Sequence, residues 1–278
     1  MDNSLFSKVT IFDIFSYVKH AQDKKLSRGQ DFQKFVELKR IMKTRSLTTY
    51  YQPILHLKTD KIIGYEALNR PPKTKHFPST ESFYDFIGQT NQVFQFELLA
   101  RNLAIQKFHH EVDNHPQQKD HLLFINIHPQ VLVDSNYKSG ETLELLHQHN
   151  ISPKQVVFEL TEKTAVTDYT MFERVLSNYR RQGFRIAIDD AGSGFNSLKT
   201  LVHLKPEFIK FDRTLIHNIH CSESQQQLIR LLVDFANESN TQVLAEGIEK
   251  EKDLEFLKEN GVHLGQGYGL AIPSLQFQ

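Results

Sequence analysis

Short runs of β-branched and aromatic residues alternate along the chain with longer stretches in which apolar positions recur every three or four residues. The short runs predict strands at 48–55, 61–68, 122–127, 155–160, 185–190, 207–212, 242–246 and 262–267. The longer stretches predict helices. From Phe96 to Val112 the apolar positions are Leu98, Leu99, Leu103, Ile105 and Phe108. From Tyr169 to Arg181 they are Phe172, Val175, Leu176 and Tyr179, and from Gln226 to Ser239 they are Leu228, Ile229, Leu231, Leu232 and Phe235. Strands alternating with helices predict an α/β fold with a parallel sheet covered by helices. Eight strands favour a closed barrel over an open doubly wound sheet. One connection departs from the ideal barrel. Only Lys58-Thr59-Asp60-Lys61 separates Leu57 from Ile62. That is enough for a hairpin but not for a crossover. The expected fold is a modified TIM (β/α)8 barrel in which strand one runs antiparallel to strand two.

Polar residues fall at one end of these strands. Strand two carries Glu66, strand three Asn126 and strand four Glu159. Strand five ends in Asp189 and Asp190, strand six carries Lys210 and Asp212, strand seven ends in Glu246, and strand eight carries Gln266. This is the C-terminal end, where barrel active sites sit. One carboxylate at a strand end is most often a helix cap or a surface charge. Seven successive strands with such a group call for another cause. Carboxylates gathered around one barrel mouth repel unless cations are present. Oxygen-only donors suit Mg²⁺ or Mn²⁺. The adjacent Asp189 and Asp190 could bridge two ions, the arrangement suited to in-line attack on phosphorus. They open the segment Ala191-Gly192-Ser193-Gly194-Phe195-Asn196-Ser197. Two readings of it stand: a loop coupled to the metal site, or an ordinary strand-to-helix turn.

Composition narrows the class. The 278 residues hold 33 Lys and Arg, 33 Asp and Glu, and one Cys. Zero net charge argues against binding DNA through bulk positive charge. One cysteine, Cys221, excludes a disulfide framework and cysteine-based metal sites. No apolar run reaches the ~18–20 residues of a spanning helix, and Met1–Val9 lacks the pattern of a signal peptide. The expectation is a cytoplasmic protein without stable membrane insertion. The balance conceals an asymmetry. Residues 1–46 carry ten Lys and Arg against five Asp and Glu, whereas the rest carry 23 against 28. The histidines at 109, 110, 115, 121 and 128 do not share the strand-end pattern and read as a solvated face.

These residues resemble a known family, the EAL-domain cyclic-di-GMP phosphodiesterases. The resemblance rests on ordered blocks: Tyr51-Gln52-Pro53-Ile54, Gly64-Tyr65-Glu66-Ala67-Leu68-Asn69-Arg70, Asn126, Phe158-Glu159-Leu160-Thr161-Glu162, Asp189-Asp190, Ile209-Lys210-Phe211-Asp212-Arg213, Ala245-Glu246-Gly247 with Glu249, and Gly265-Gln266-Gly267-Tyr268. It spans about residues 34–273. It implies hydrolysis of one phosphodiester of cyclic-di-GMP to linear pGpG with two divalent cations, Mg²⁺ or Mn²⁺. It also implies roles. Glu66, Asn126, Glu159 and Asp189 would hold the first cation, and Asp189 and Asp190 the second. Glu246 is the candidate general base, and Lys210 would orient the attacking water. Asp212 and Gln266 would support that shell. Glu162 and Glu249 would lie behind it, Glu162 holding the glycine-containing loop. Arg70 would contact the dinucleotide, and Gln52 a guanine. A homodimer through the helix after the 191–197 loop is implied as well.

The chain departs from the family pattern in places. Pro71 follows Arg70 where an aromatic residue is common. Ala191 and Ser193 replace the usual aromatic residue and threonine. No expected metal ligand is missing. Residues 1–33, with Phe6, Val9, Ile11, Phe12, Ile14, Phe15 and Val18, form a separate extension expected to be helical. Residues 34–278 form the barrel domain. Two classes of function remain open: the phosphodiesterase, and a catalytically inactive cyclic-di-GMP receptor acting through partners. A glycosidase, which needs two carboxylates and no ligand cluster, fits less well.

Overall fold

The structure, a computed structural model, describes residues 30–127, 140–161, 169–191 and 197–278. The elements run α1 (Gln30–Thr44), β1 (Thr48–His56), β2 (Lys61–Arg70), α2 (Thr80–Gly88), α3 (Val93–Asn114), β3 (Leu122–Asn126), α4 (Glu141–Gln148), β4 (Val156–Thr161), α5 (Tyr169–Arg181), β5 (Arg185–Ala191), α6 (Ser197–Leu204), β6 (Phe208–Phe211), α7 (Arg213–Ile216), α8 (Glu223–Glu238), β7 (Gln242–Ala245), α9 (Glu251–Glu259) and β8 (Leu264–Gly265). The eight strands close in sequence order. Strands β2 to β8 are parallel, and β1 pairs antiparallel with β8 through Leu55 and Gly265. The expected hairpin joins β1 to β2. The amides of Thr59 and Asp60 both donate to the His56 carbonyl, and Asp60 takes a left-handed φ of 54°.

The chain divides into two compact units. In the smaller, residues 30–49 and 69–103, Ser79 and Ser82 form a reciprocal cap at the start of α2. Phe83 packs edge-on against Phe77 and Phe96. The larger unit, residues 50–68 and 104–278, holds the barrel interior. There Ile54, Phe124, Val157, Ala187, Phe208, Leu244 and Leu264 form one sealed layer, one residue from each of seven strands. Strand β2 contributes Gly64, where a Cβ would meet the Leu122 carbonyl oxygen at 2.5 Å.

The last strand is shorter than its sequence pattern predicts, two residues instead of 262–267. Its neighbour β7 stops at Ala245, and the chain then turns through Gly247 at φ 66°. The ladder loses its partner there, although Gln266 still donates its amide to the Ala245 carbonyl.

Candidate active site

Side chains on a strand alternate between faces, so residues two apart share the barrel interior. Two positions beyond the apolar layer lie Asn126, Glu159, Asp189, Lys210, Glu246 and Gln266. On β2 the same step leads from Gly64 to Glu66. On the reversed strand β1 it runs backward, from Ile54 to Gln52. The polar ring is thus the apolar layer displaced by one inward step. A bulge modifies it on β5. Ile188 pairs with Ile209 and Ala191 with Phe211, so Asp189 and Asp190 together stand opposite Lys210. Asp190 adopts φ 56° at this bulge, and its amide donates to Oδ1 of Asp189 at 3.0 Å.

Lys210 lies at the centre, 1% exposed. Its ammonium is 2.6 Å from Glu159, 2.7 Å from Glu246, 3.4 Å from Asp189 and 3.7 Å from Glu66. Burial alone would push the Lys210 pKa down. The surrounding carboxylates outweigh it and hold the group well above its ordinary value. The carboxylates separate. Burial, then the charge of Glu66, pushes Glu159 well above the usual range. Burial raises Glu246 to about 7. Burial would also raise Glu66, but Lys210 and hydrogen bonds from Gln266 and Asn126 hold it below the usual range.

Amides complete the ring. The Gln266 side-chain amide donates to Oε2 of Glu66 at 2.7 Å and to Oε1 of Gln52 at 2.9 Å. Asn126 donates to the other Glu66 oxygen at 3.2 Å. Gln52 donates to the Ala271 carbonyl. Above these groups is a pocket of about 350 Å³. Its floor includes Lys210, Glu66, Asp189 and Glu246, while Arg213, Glu249 and Tyr268 line its outer part.

Other candidates lie elsewhere. Asp212 caps α7, accepting from the Thr214 amide at 2.8 Å. Arg70 is the exposed last residue of β2 and belongs to the smaller unit. Glu162, His128, the extension before Gln30 and the loop from Gly192 to Asn196 lie outside the described residues. Arg213 and Tyr268 received no role from the sequence. Each directly follows or lies near a residue that did, but a place on a pocket rim has no local signature.

Among the described residues, no three acidic, imidazole or thiol side chains are already set to hold one metal ion. The Lys210 ammonium lies between the carboxylates instead. The donor set nonetheless fits hard divalent cations: it is all oxygen, and Oε2 of Glu159 is buried without a hydrogen-bond partner.

Known proteins resemble this chain in sequence or in fold. PdeB of Escherichia coli K12, described as a probable cyclic di-GMP phosphodiesterase, is 31% identical over 240 residues, covering 85% of this chain and 45% of PdeB. The chain therefore spans less than half the length of that relative. BluF of the same organism, a blue light- and temperature-regulated antirepressor, is 25% identical over 219 residues, 78% of this chain and 52% of BluF. Klebsiella pneumoniae BlrP1, solved as a calcium and cyclic-di-GMP complex, superposes with a TM-score of 0.73 at 28% identity, over 82% of this chain and 56% of its own. The family model described as EAL domain matches residues 36–273. With eight strands closed around this polar ring and that match spanning most of its length, the chain belongs to the EAL domain family.

Proposed function

We propose that the chain hydrolyses one 3′–5′ phosphodiester of cyclic-di-GMP to linear pGpG, with two divalent cations, Mg²⁺ or Mn²⁺. The observation that carries this reading is the Lys210 ammonium held among Glu66, Glu159, Asp189 and Glu246 at the floor of a pocket. Four carboxylates around one ammonium leave an excess of negative charge, which would repel a phosphodiester. Divalent cations held by Glu66, Asn126, Glu159, Asp189 and Asp190 would reverse that field and acidify water beside the phosphorus.

The chain's own groups have distinct tasks in this reading. Glu246, partly open to the pocket, takes the proton of the attacking water. Lys210 orients that water. Gln266 fixes Glu66 and Gln52 relative to each other, and Asp212 anchors the start of α7 beside Lys210. Arg70 contacts the dinucleotide and Gln52 a guanine, while Glu162 and Glu249 lie behind the ligands, Glu162 holding the glycine-containing loop. Water adds to phosphorus, the 3′ oxygen leaves with a proton, and the ring opens to pGpG. The protein acts in the cytoplasm as a homodimer in this reading. Among the described residues, no helix is long and apolar enough to cross a membrane.

Similarity to the antirepressor BluF favours one second reading, a receptor that binds cyclic-di-GMP without turnover. Incubation with cyclic-di-GMP and Mg²⁺ or Mn²⁺, with and without chelator, separates the two. Appearance of pGpG that stops with chelator supports the enzyme. Binding without pGpG transfers the assignment to the receptor, and neither binding nor pGpG overturns both.

A further inference from the structure

A hairpin joins β1 to β2, so no crossover helix covers their outer face as one would in a regular barrel. Residues 274–278 pack there instead. Ser274 exchanges both backbone hydrogen bonds with Tyr51, at 2.7 and 2.9 Å. Phe277 is buried and stacked on the Tyr65 ring, the centroids 4.0 Å apart and the planes 6° from parallel. Tyr51 and Phe108 pack edge-on around it. The buried carboxylate of Glu111 accepts the Phe277 amide at 3.1 Å.

Tyr51 and Tyr65 each precede a pocket residue by one position, Gln52 and Glu66. Neighbours on a strand point to opposite faces, so this tail grips from outside the two strands whose inner side chains line the pocket. Those two side chains share one bridge. The Gln266 side-chain amide reaches Gln52 at 2.9 Å and Glu66 at 2.7 Å. Farther back along the tail, the Ala271 carbonyl accepts from the Gln52 side chain at 3.3 Å. The strand ladder does not set this bridge. Strand β1 pairs with β8 only at Leu55 and His56, and Gln52 lies about 10 Å beyond along the strand. Pairing resumes only where Ser274 meets Tyr51.

We propose that Phe277 is a positioning residue for the pocket: docked on Tyr65, it fixes the β1–β2 hairpin against the segment after β8, and with it the bridge from Gln52 through Gln266 to Glu66. The inference rests on the phosphodiesterase reading and adds to it a residue outside the barrel, remote from substrate.

The test is a double-mutant cycle on the full chain: Phe277→Ala, Gln266→Ala, and both together. Phe277→Leu, which keeps much of the buried volume without the stack, is carried through the same cycle and serves if Phe277→Ala does not fold. KM and kcat for cyclic-di-GMP with Mn²⁺, and Mn²⁺ affinity by calorimetry, are measured well below each melting temperature. We expect Phe277→Ala to raise KM and weaken Mn²⁺ binding about three- to tenfold, the scale of one lost hydrogen bond. In the Gln266→Ala protein the same change adds less than about twofold, because the bridge through which it acts is already gone. Losses that multiply in full would show that Phe277 acts independently of the bridge and overturn the proposal. So would a lower melting temperature with unchanged KM and Mn²⁺ affinity, the signature of a plug that only stabilises the fold. If the unaltered chain neither binds nor cleaves cyclic-di-GMP, the phosphodiesterase reading falls. The cycle is then read by chemical denaturation without ligand. Losses in the folding equilibrium that fall short of multiplying uphold the positioning role, and losses that multiply overturn it.

Discussion

The Lys210 ammonium lies 2.6 Å from Oε1 of Glu159, and both side chains are sealed from solvent. The ammonium could not be held there without the carboxylates around it. Burial pushes Glu159 well above the usual carboxylate range, and the same burial works against the charged lysine. The pair therefore sits in a network whose members depend on one another.

Replacing Lys210 by Met should accordingly reduce stability by about 3–5 kcal/mol, the usual consequence of leaving buried carboxylates without their cation. Chemical denaturation in chelator-treated buffer measures this. A denaturation midpoint equal to that of the unaltered protein would show that the carboxylates are relieved in another way.

Glu66→Ala and Asp189→Asn should each abolish turnover through loss of cation binding. Calorimetric titration with Mn²⁺ should lose its heat in parallel. Variants that hydrolyse cyclic-di-GMP at the original rate would remove both residues from the proposed ligand set.

Gly267→Ala should destabilise the rim even though it adds only a methyl group. Its Cβ would approach the backbone nitrogen and oxygen of Ile248 to 2.2 Å, and backbone cannot yield as a flexible side chain does. A loss of about 1–3 kcal/mol is expected from overpacking. A thermal melt unchanged from the original would contradict this close approach.

Asp253 provides a pH signature away from the pocket. It is 2% exposed and accepts from the Asn218 amide, the His220 amide and Nδ1 of His220. Burial alone would raise its pKa, but these hydrogen bonds outweigh it and leave the group lowered. The sign follows from linkage. A carboxyl with a lower pKa when folded stabilises fully above its unfolded pKa, and that contribution fades as pH falls through the folded value. The stability gap between the protein and Asp253→Asn should be widest near neutrality. It should narrow progressively below about pH 4. A gap that stays constant down to acid pH would mean that its charge contributes nothing.

Much of this protein is legible along the chain. The period-two alternation that puts Phe124, Val157 and Phe208 inside also puts Asn126, Glu159 and Lys210 inside, since each pair is two residues apart on one strand. The four residues between Leu57 and Ile62 likewise dictate a hairpin, because no crossover can be made so short. These are local relations, and the sequence by itself determines them. The tertiary structure decided what local relations cannot reach. Barrel closure brings Gln266 against Gln52 and Glu66, more than 190 residues away along the chain, and aims Lys210 at carboxylates from four other strands or strand ends. It gave Asp212 to the cap of α7, and it put Arg213, Glu249 and Tyr268 on one rim. The physical reason is that strand periodicity specifies a face, whereas charge pairing depends on distance across the barrel. That distance exists only once the register between the first and last strands has been set.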